Sequence, residues 1–339
     1  METMRLGRTD LQVTRTAFGV LPLQRVEMDE AVSILRRAQE AGITFYDTAR
    51  AYTDSEAKIG AALAGVRDRV VLATKTHASD RAGVLDHLAT SLEALRTDHV
   101  DLLQLHNPSA LPDPDDPDST YAGLVEARKA GKVRFIGITA HRLDVAAAAA
   151  RSGLYDTVQF PISPISTAEE LELVEVCRQA DVGLIAMKAL CGGLFSDART
   201  AFAFFRQFDN VVPIWGIQRM GELEEFLALD AAPPAFDARD AAAIGRYRRE
   251  LGGDFCRGCG YCLPCPADIP IPMAARMSLL LRRAVWQSFM TDDWRRKMAR
   301  IEDCTGCGHC TSHCPYGLDT PELLKAMLAD YRAFAAEHT

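Results

Sequence analysis

The 339-residue sequence holds no uninterrupted apolar stretch of the about 18 residues that a membrane-spanning helix requires. Its first residues, METMRLGR, contain no apolar core of the kind a secretory leader carries, so the expected compartment is the cytoplasm. A basic excess is missing as well. Against 46 Asp and Glu there are 38 Lys and Arg, a net charge of −8 with no basic tail or stripe. That balance excludes an electrostatic footprint for nucleic acid or for an anionic membrane. No Gly-x-Gly-x-x-Gly follows the first candidate strand, which disfavours a doubly wound dinucleotide fold. Disorder is excluded by composition: 48% of residues are apolar and 25% charged, ample material for a core. The length suits two domains, or one barrel-sized domain with an appendage.

What the chain does have is cysteine, unevenly placed. Of ten, Cys177 and Cys191 stand alone and are read as packing residues, while the other eight fall in two clusters. In a chain with no export signal, clustered thiols point to metal ligation before disulfides. The first cluster reads Cys256-x2-Cys259-x2-Cys262-x2-Cys265-Pro266, and the second Cys304-x2-Cys307-x2-Cys310-x3-Cys314-Pro315. The second has the spacing of bacterial ferredoxins, and the first is one residue shorter before its last cysteine. Gly258, Gly260, Gly306 and Gly308 interrupt the triplets, so each reads as a loop wrapped around a cubane, its amides free to reach sulfur. Zinc sites use separated C-x2-C pairs, which leave the crowded triplets unexplained. Two [4Fe–4S] clusters are therefore expected. In two-cluster ferredoxins the fourth cysteine ligates the other cluster. The expected sets are thus Cys256, Cys259, Cys262 and Cys314, and Cys304, Cys307, Cys310 and Cys265. His309 and His313 are read as bystanders. Between the motifs, residues 273–301 form a helical insertion with Trp286 and Phe289 as anchors, and a last helix over 321–337 is expected with Thr320 as its N-cap. Both clusters follow the Pro- and Ala-rich stretch 231–238, which divides the chain into domains 1–235 and 236–339.

The first 230 residues alternate strand and helix. Strands are expected at 16–20, 44–47, 70–76, 100–106, 133–139, 157–161, 183–189 and 210–216. Helical patterns lie between them, among them 29–41, 55–63, 81–95, 122–130, 168–179 and 222–229. Eight such units predict an α/β fold, a (β/α)8 TIM barrel followed by a small, mainly helical iron–sulfur domain. A hairpin turning at residues 7–10 is expected to plug the barrel's bottom.

Chemistry on a barrel sits at the C-terminal ends of its strands. There the sequence places Asp47, Lys75 and His106, with Tyr52 in the loop after Asp47. An acid, an ammonium, an imidazole and a phenol over one mouth make a proton-transfer device. The ammonium is expected to lower the phenol's pKa, and the carboxylate to keep the ammonium charged. His106 would orient a carbonyl oxygen while Tyr52 protonates it as hydride arrives at carbon.

With these residues in place the chain resembles the aldo/keto reductase family. The resemblance rests on RLGRTDLQV (5–13), FYDTA (45–49), YTDSE (52–56), ATK (73–75), DLLQLH (101–106), GKVRFIGI (131–138), VQ (158–159) and MKALCGG (187–193). It implies a catalytic tetrad of Asp47, Tyr52, Lys75 and His106, and an extended nicotinamide cofactor, NADP favoured over NAD. Carried over, the nicotinamide amide meets Gln159 and the residues closing the fifth strand, Thr139 and His141. The pyrophosphate lies along Lys188, Leu190, Gly192 and Gly193, and the adenine end along Gly216, Gln218, Arg219 and Glu224. Three departures stand out. Thr139-Ala140-His141 replaces the family's Ser-Asn, Ile162 replaces a stacking aromatic, and Gln218 and Phe226 replace an Arg and an Asn near the adenine. The whole chain resembles the subgroup of these reductases that carries a C-terminal ferredoxin-like domain.

Two functions follow. In the first, the protein is an oxidoreductase that reduces a small carbonyl compound, or oxidises the alcohol, and exchanges electrons with a ferredoxin-like partner or uses the clusters as braces. In the second, the barrel binds a ligand without nicotinamide and the clusters make the protein an electron carrier. The tetrad favours the first. A nicotinamide gives two electrons together whereas a cluster takes one, and no flavin site is visible to bridge them.

Overall fold

The computed structural model describes residues 1–251, 255–283 and 286–338. Two short antiparallel strands open the chain, β1 (Thr3–Arg5) and β2 (Gln12–Thr14). Eight parallel strands follow: β3 (Ala17–Gly19), β4 (Phe45–Asp47), β5 (Val71–Thr76), β6 (Val100–His106), β7 (Val133–Thr139), β8 (Thr157–Pro161), β9 (Gly183–Met187) and β10 (Val211–Gly216). They close in chain order, with β10 paired to β3, into a parallel barrel. The expected TIM barrel is the fold, and the strands end within a residue or two of their expected limits.

Helices separate the strands: α1 (Met28–Glu40), α2 (Ser55–Leu63), α3 (Arg81–Leu95), α4 (Thr120–Lys129), α5 (Leu143–Ser152), α6 (Ala168–Gln179), α7 (Ala198–Phe205) and α8 (Met220–Ala231). Several start where a side chain caps the first turn, as Asp80, Ser119, Thr167 and Asp197 do for α3, α4, α6 and α7. The caps move some boundaries. Ser119 starts α4 two residues before the expected 122, because it accepts the Ala122 amide at 3.2 Å.

The hairpin packs where it was expected. Met4, Leu6, Leu11 and Val13 share one buried cluster with Ala17, Phe45 and Val71, the first residues of β3, β4 and β5. Between the two short strands runs a 3-10 turn at Gly7–Thr9. A Cβ on Gly7 would stand 2.1 Å from the Gly183 amide nitrogen, so only glycine lets the turn close on the start of β9.

By density of internal contacts the chain forms two compact units, residues 1–190 with 197–241, and residues 191–196 with 242–339. The second unit holds the end of α9 (Ala238–Leu251), then α10 (Ile271–Ala274), α11 (Met277–Arg283), α12 (Asp292–Ala299), α13 (His309–Ser312) and α14 (Thr320–Glu337). Its core joins Ile269, Met277, Met298, Ile301, Leu324 and Leu328, with Trp286 and Phe289 only partly buried against it. Helix α14 starts one residue earlier than expected, with Asp319 as its cap: the carboxylate accepts the Glu322 amide at 3.4 Å, and Thr320 is the first helical residue. No helix among the described residues is long and apolar enough to cross a membrane.

Candidate active site and cysteine centres

Parallel register aligns the polar residues of neighbouring strands at one end of the barrel. Lys75 on β5 pairs with Gln104 on β6, His106 with Thr139 on β7, and Thr139 with Gln159 on β8. Asp47, Lys75, Gln104, Thr139 and Gln159 are buried, while Tyr52 and His106 are half-buried. Lys75 Nζ donates to Asp47 Oδ1 at 2.5 Å and to the Thr48 carbonyl at 2.7 Å. Gln104 Nε2 donates to Gln159 Oε1 at 2.9 Å and to Asp47 Oδ2 at 3.3 Å, and Gln159 Nε2 reaches Asp47 Oδ1 at 3.5 Å. Sequence reading passed over Gln104, which sits in the middle of this network. Its signal was a lone amide within an otherwise apolar strand.

The four expected tetrad side chains therefore meet. Tyr52 stands edge-on to His106, with ring centroids 5.6 Å apart, and Lys75 Nζ lies 5.4 Å from the Tyr52 ring centre. The electrostatics differ from expectation in one respect. Burial, with the charge of Asp47 added, pushes the Tyr52 phenol above its ordinary pKa, whereas a lowered value was expected from the neighbouring ammonium. Lys75 donates its hydrogen bonds to Asp47 and the Thr48 carbonyl, and beside burial it is the Asp47 charge that acts on the phenol. Burial pushes the Asp47 carboxyl up and the Lys75 ammonium down, each opposed by the charge of the other. His106 is driven down to about 3, first by burial and then by Lys75, which makes it a neutral imidazole at working pH.

The other expected contacts divide. Asn107, in the left-handed conformation at φ 57°, ties the end of β6 to β7: its Oδ1 accepts the His141 amide at 2.7 Å and its own amide donates to Thr139 Oγ1 at 2.9 Å. Thr139, His141 and Gln159 thus border the network. Lys188 at φ 56° begins a run of left-handed residues that includes Cys191, Gly192 and Gly193. Gly192 and Gly193 belong to the second compact unit and Lys188 and Leu190 to the first. Past Gly216, the Glu222 carboxylate already accepts the amides of Gln218, at 2.7 Å, and Arg219, at 3.1 Å. Glu224 is held by Arg37 at 2.8 Å on an exposed face. Ile162, where an aromatic was sought, is fully buried.

In the second unit the cysteines ring two cavities. One, about 360 Å³ counted out into solvent, is lined by Cys256, Cys259, Cys262, Cys310 and Cys314. The other, about 380 Å³ and likewise open, is lined by Cys262, Cys265, Cys304, Cys307 and Cys310. Cys314 lines the first cavity and Cys265 the second, while Cys262 and Cys310 line both. Gly258, Gly260, Gly306 and Gly308 have φ of 66°, 87°, 67° and 73°, which turns each loop around its cavity. The Gly258 amide donates to Cys256 Sγ at 3.3 Å. Among the described residues no three His, Cys, Asp or Glu side chains converge on a point fit for a single ion. The thiols encircle space for a larger group, which fits a cubane.

A closed parallel barrel with this acid, phenol, ammonium and imidazole at one rim agrees with the family comparison, in which the aldo/keto reductase family model matches residues 9–226. The chain belongs to the aldo/keto reductase family. A 4Fe-4S dicluster domain matches residues 255–319 of the same reductase chain. Among curated relatives, the aldo-keto reductase YhdN of Bacillus subtilis (strain 168) is 30% identical over 221 residues, 59% of this chain and 65% of that protein. The chain thus spans slightly under two thirds of that relative's length. The L-galactose dehydrogenase of Arabidopsis thaliana is also 30% identical, over 218 residues, covering 58% of this chain and 68% of that one. Solved structures share the fold. An aldo-keto reductase from Bacillus halodurans in its holo form superposes with a TM-score of 0.64 at 22% identity, over 73% of this chain and 96% of that one. One from Klebsiella pneumoniae in complex with NADPH gives 0.59 at 23% identity, over 72% and 94%.

Proposed function

We propose that this reductase performs nicotinamide-linked reduction of a small carbonyl compound, or the reverse oxidation, and that its C-terminal unit carries two [4Fe–4S] clusters. The observation that carries the reading is the buried Asp47–Lys75 pair beneath Tyr52 and His106. A bound nicotinamide would supply hydride. Fit for its carboxamide is supported by Gln104 Oε1, a buried acceptor that has no hydrogen-bond partner among the described residues, beside Gln159. The neutral His106 imidazole orients the substrate oxygen. Tyr52 holds the proton, because a buried phenol near a carboxylate stays protonated, and releases it only to the alkoxide that forms as hydride reaches carbon. Asp47 keeps Lys75 charged, and Lys75 stabilises the phenolate left behind. A small carbonyl or alcohol is the substrate class, and a ferredoxin-like protein the class of electron partner.

The test is anaerobic mixing with NADPH and with NADH while visible absorbance and nicotinamide fluorescence are recorded. Fluorescence enhancement by either cofactor is expected, with NADPH the tighter. If neither binds, the electron-carrier reading takes over, and the capture of the Gln218 and Arg219 amides by Glu222 is the observation that favours it.

Crossed ligation makes its own demand. Cys265→Ser, in the first motif, is expected to disturb the cluster held by Cys304, Cys307 and Cys310. Iron should fall from about eight toward about four per chain, with the surviving spectrum that of the Cys256 set. Loss of the Cys256 set in that variant would show that ligation follows sequence order.

A further inference from the structure

The two cysteine loops are near copies. Cys256-Arg-Gly-Cys-Gly-Tyr-Cys262 aligns with Cys304-Thr-Gly-Cys-Gly-His-Cys310, and corresponding glycines, Gly258 and Gly306, share the left-handed conformation at φ 66° and 67°. Their surroundings differ. A Cβ on Gly258 would stand 2.9 Å from Arg276 Cζ and 3.1 Å from its Nη1, so a guanidinium lies directly on the first loop. A Cβ on Gly306 would meet nothing within 4 Å. Arg276 is held there from its own unit. Its Nε donates to the Pro272 carbonyl at 2.8 Å, Nη1 to the Gly192 carbonyl at 3.4 Å, and Nη2 to Met273 Sδ at 3.4 Å. The segment 191–196, which leaves the barrel's compact unit, thus helps to seat this arginine. A second guanidinium, Arg257, lines the same cavity and lies over the Tyr316 ring at 4.4 Å, where the other loop has Thr305.

We propose that Arg276 is an electrostatic tuning residue for one cluster only, raising the reduction potential of the set bound by Cys256, Cys259, Cys262 and Cys314. The inference rests on the reading that both cysteine sets hold [4Fe–4S] clusters. An added electron makes a thiolate-bound cluster one charge more negative, and a fixed cation beside it stabilises that form. Burial works the other way. Cys256 and Cys262 are buried whereas Cys304 and Cys307 are exposed, so without a cation the first set would be the harder to reduce. Arg276 offsets that handicap and lets an electron given to the chain reside on the Cys256 set. The second set has a cation near Cys304, Lys325, but Glu322 pairs with it at 2.6 Å and both are about two-thirds exposed. Solvent screens a pair of that kind.

The experiment is an anaerobic redox titration of the full-length protein with a one-electron mediator set, followed by EPR, after iron and sulfide are counted. About eight of each per chain tests the two-cluster reading by itself. In Arg276→Gln, one midpoint should fall enough to shift electron occupancy between the sets by tenfold or more, about 59 mV for a one-electron couple, while the other stays. Arg276→Lys keeps the charge and should hold occupancy within threefold of the parent. Lys325→Gln is the control and should leave unmoved the midpoint that Arg276→Gln moves. The proposal is overturned if both midpoints move together, if neither moves, or if Lys325→Gln shifts the same one. Should Arg276→Gln lose iron, Arg276→Lys decides: a tenfold shift with full iron and retained charge also overturns it.

Discussion

Tyr52→Phe is expected to lower carbonyl reduction by about 10²–10⁴-fold, the range for loss of a positioned general acid, while iron content and visible absorbance stay unchanged. The substitution removes one oxygen and keeps the ring whose edge meets His106 at 5.6 Å, so the rim should hold its shape. Its effect belongs in turnover more than in cofactor affinity, since the phenol acts on the reacting oxygen. Turnover equal to the parent's would remove Tyr52 from the mechanism. The raised pKa adds a pH signature to the parent enzyme. Reduction needs the protonated phenol, and burial with Asp47 holds the proton on above the usual value near 10. Reduction should therefore show no loss from this group below pH 10, whereas oxidation, which needs phenolate, should climb with pH. Nor should His106 produce a step near pH 6–7, because it is neutral down to about 3.

The second large effect is on stability. Lys75→Met leaves the Asp47 carboxylate buried with only amide partners, and removing one member of a buried ion pair costs about 3–5 kcal/mol. Urea unfolding under anaerobic conditions, followed by far-ultraviolet circular dichroism, would measure it. The deficit should depend on pH with a defined sign. Without the ammonium, burial holds the folded-state pKa of Asp47 above its unfolded value, so the variant is least impaired at acid pH. The deficit grows as pH rises through the carboxylate range. Replacing both partners, Asp47→Leu with Lys75→Met, should recover much of the stability, because no buried charge is then left alone. A single variant as stable as the parent at pH 8 would show that water reaches Asp47.

How much of this could be read from the chain alone depends on how local each signal is. The eight strands were legible because each is a short β-branched run of fixed period, and the barrel followed from their number and alternation with helices. The tetrad was legible because strand-end positions in a barrel converge whatever the loops do. Gln104 was not: it is one amide in an apolar strand, and only the register that sets it beside Lys75 and next to Gly137 gives it a partner in Gln159. The direction of the Tyr52 shift was missed for a related reason. Composition shows that an ammonium and a phenol are near, but which atom the ammonium faces is a matter of ångströms, and it faces Asp47 and Thr48. The pairing of Glu224 with Arg37 on α1, 187 residues away, has no local signal either.

The spacing of eight cysteines, by itself, determined that this protein carries two thiol sets of ferredoxin type. Spacing within a loop of ten or eleven residues is covalent geometry, and glycines between the thiols let so short a loop close. The aldo/keto reductase barrel was determined in the same way, by repeating local patterns. Only the tertiary structure decided that residues 191–196 leave the barrel's compact unit, and that a guanidinium covers one cysteine loop and not its twin. Those are consequences of packing between segments dozens of residues apart, and packing is fixed by shape and charge in space, which a linear pattern does not contain.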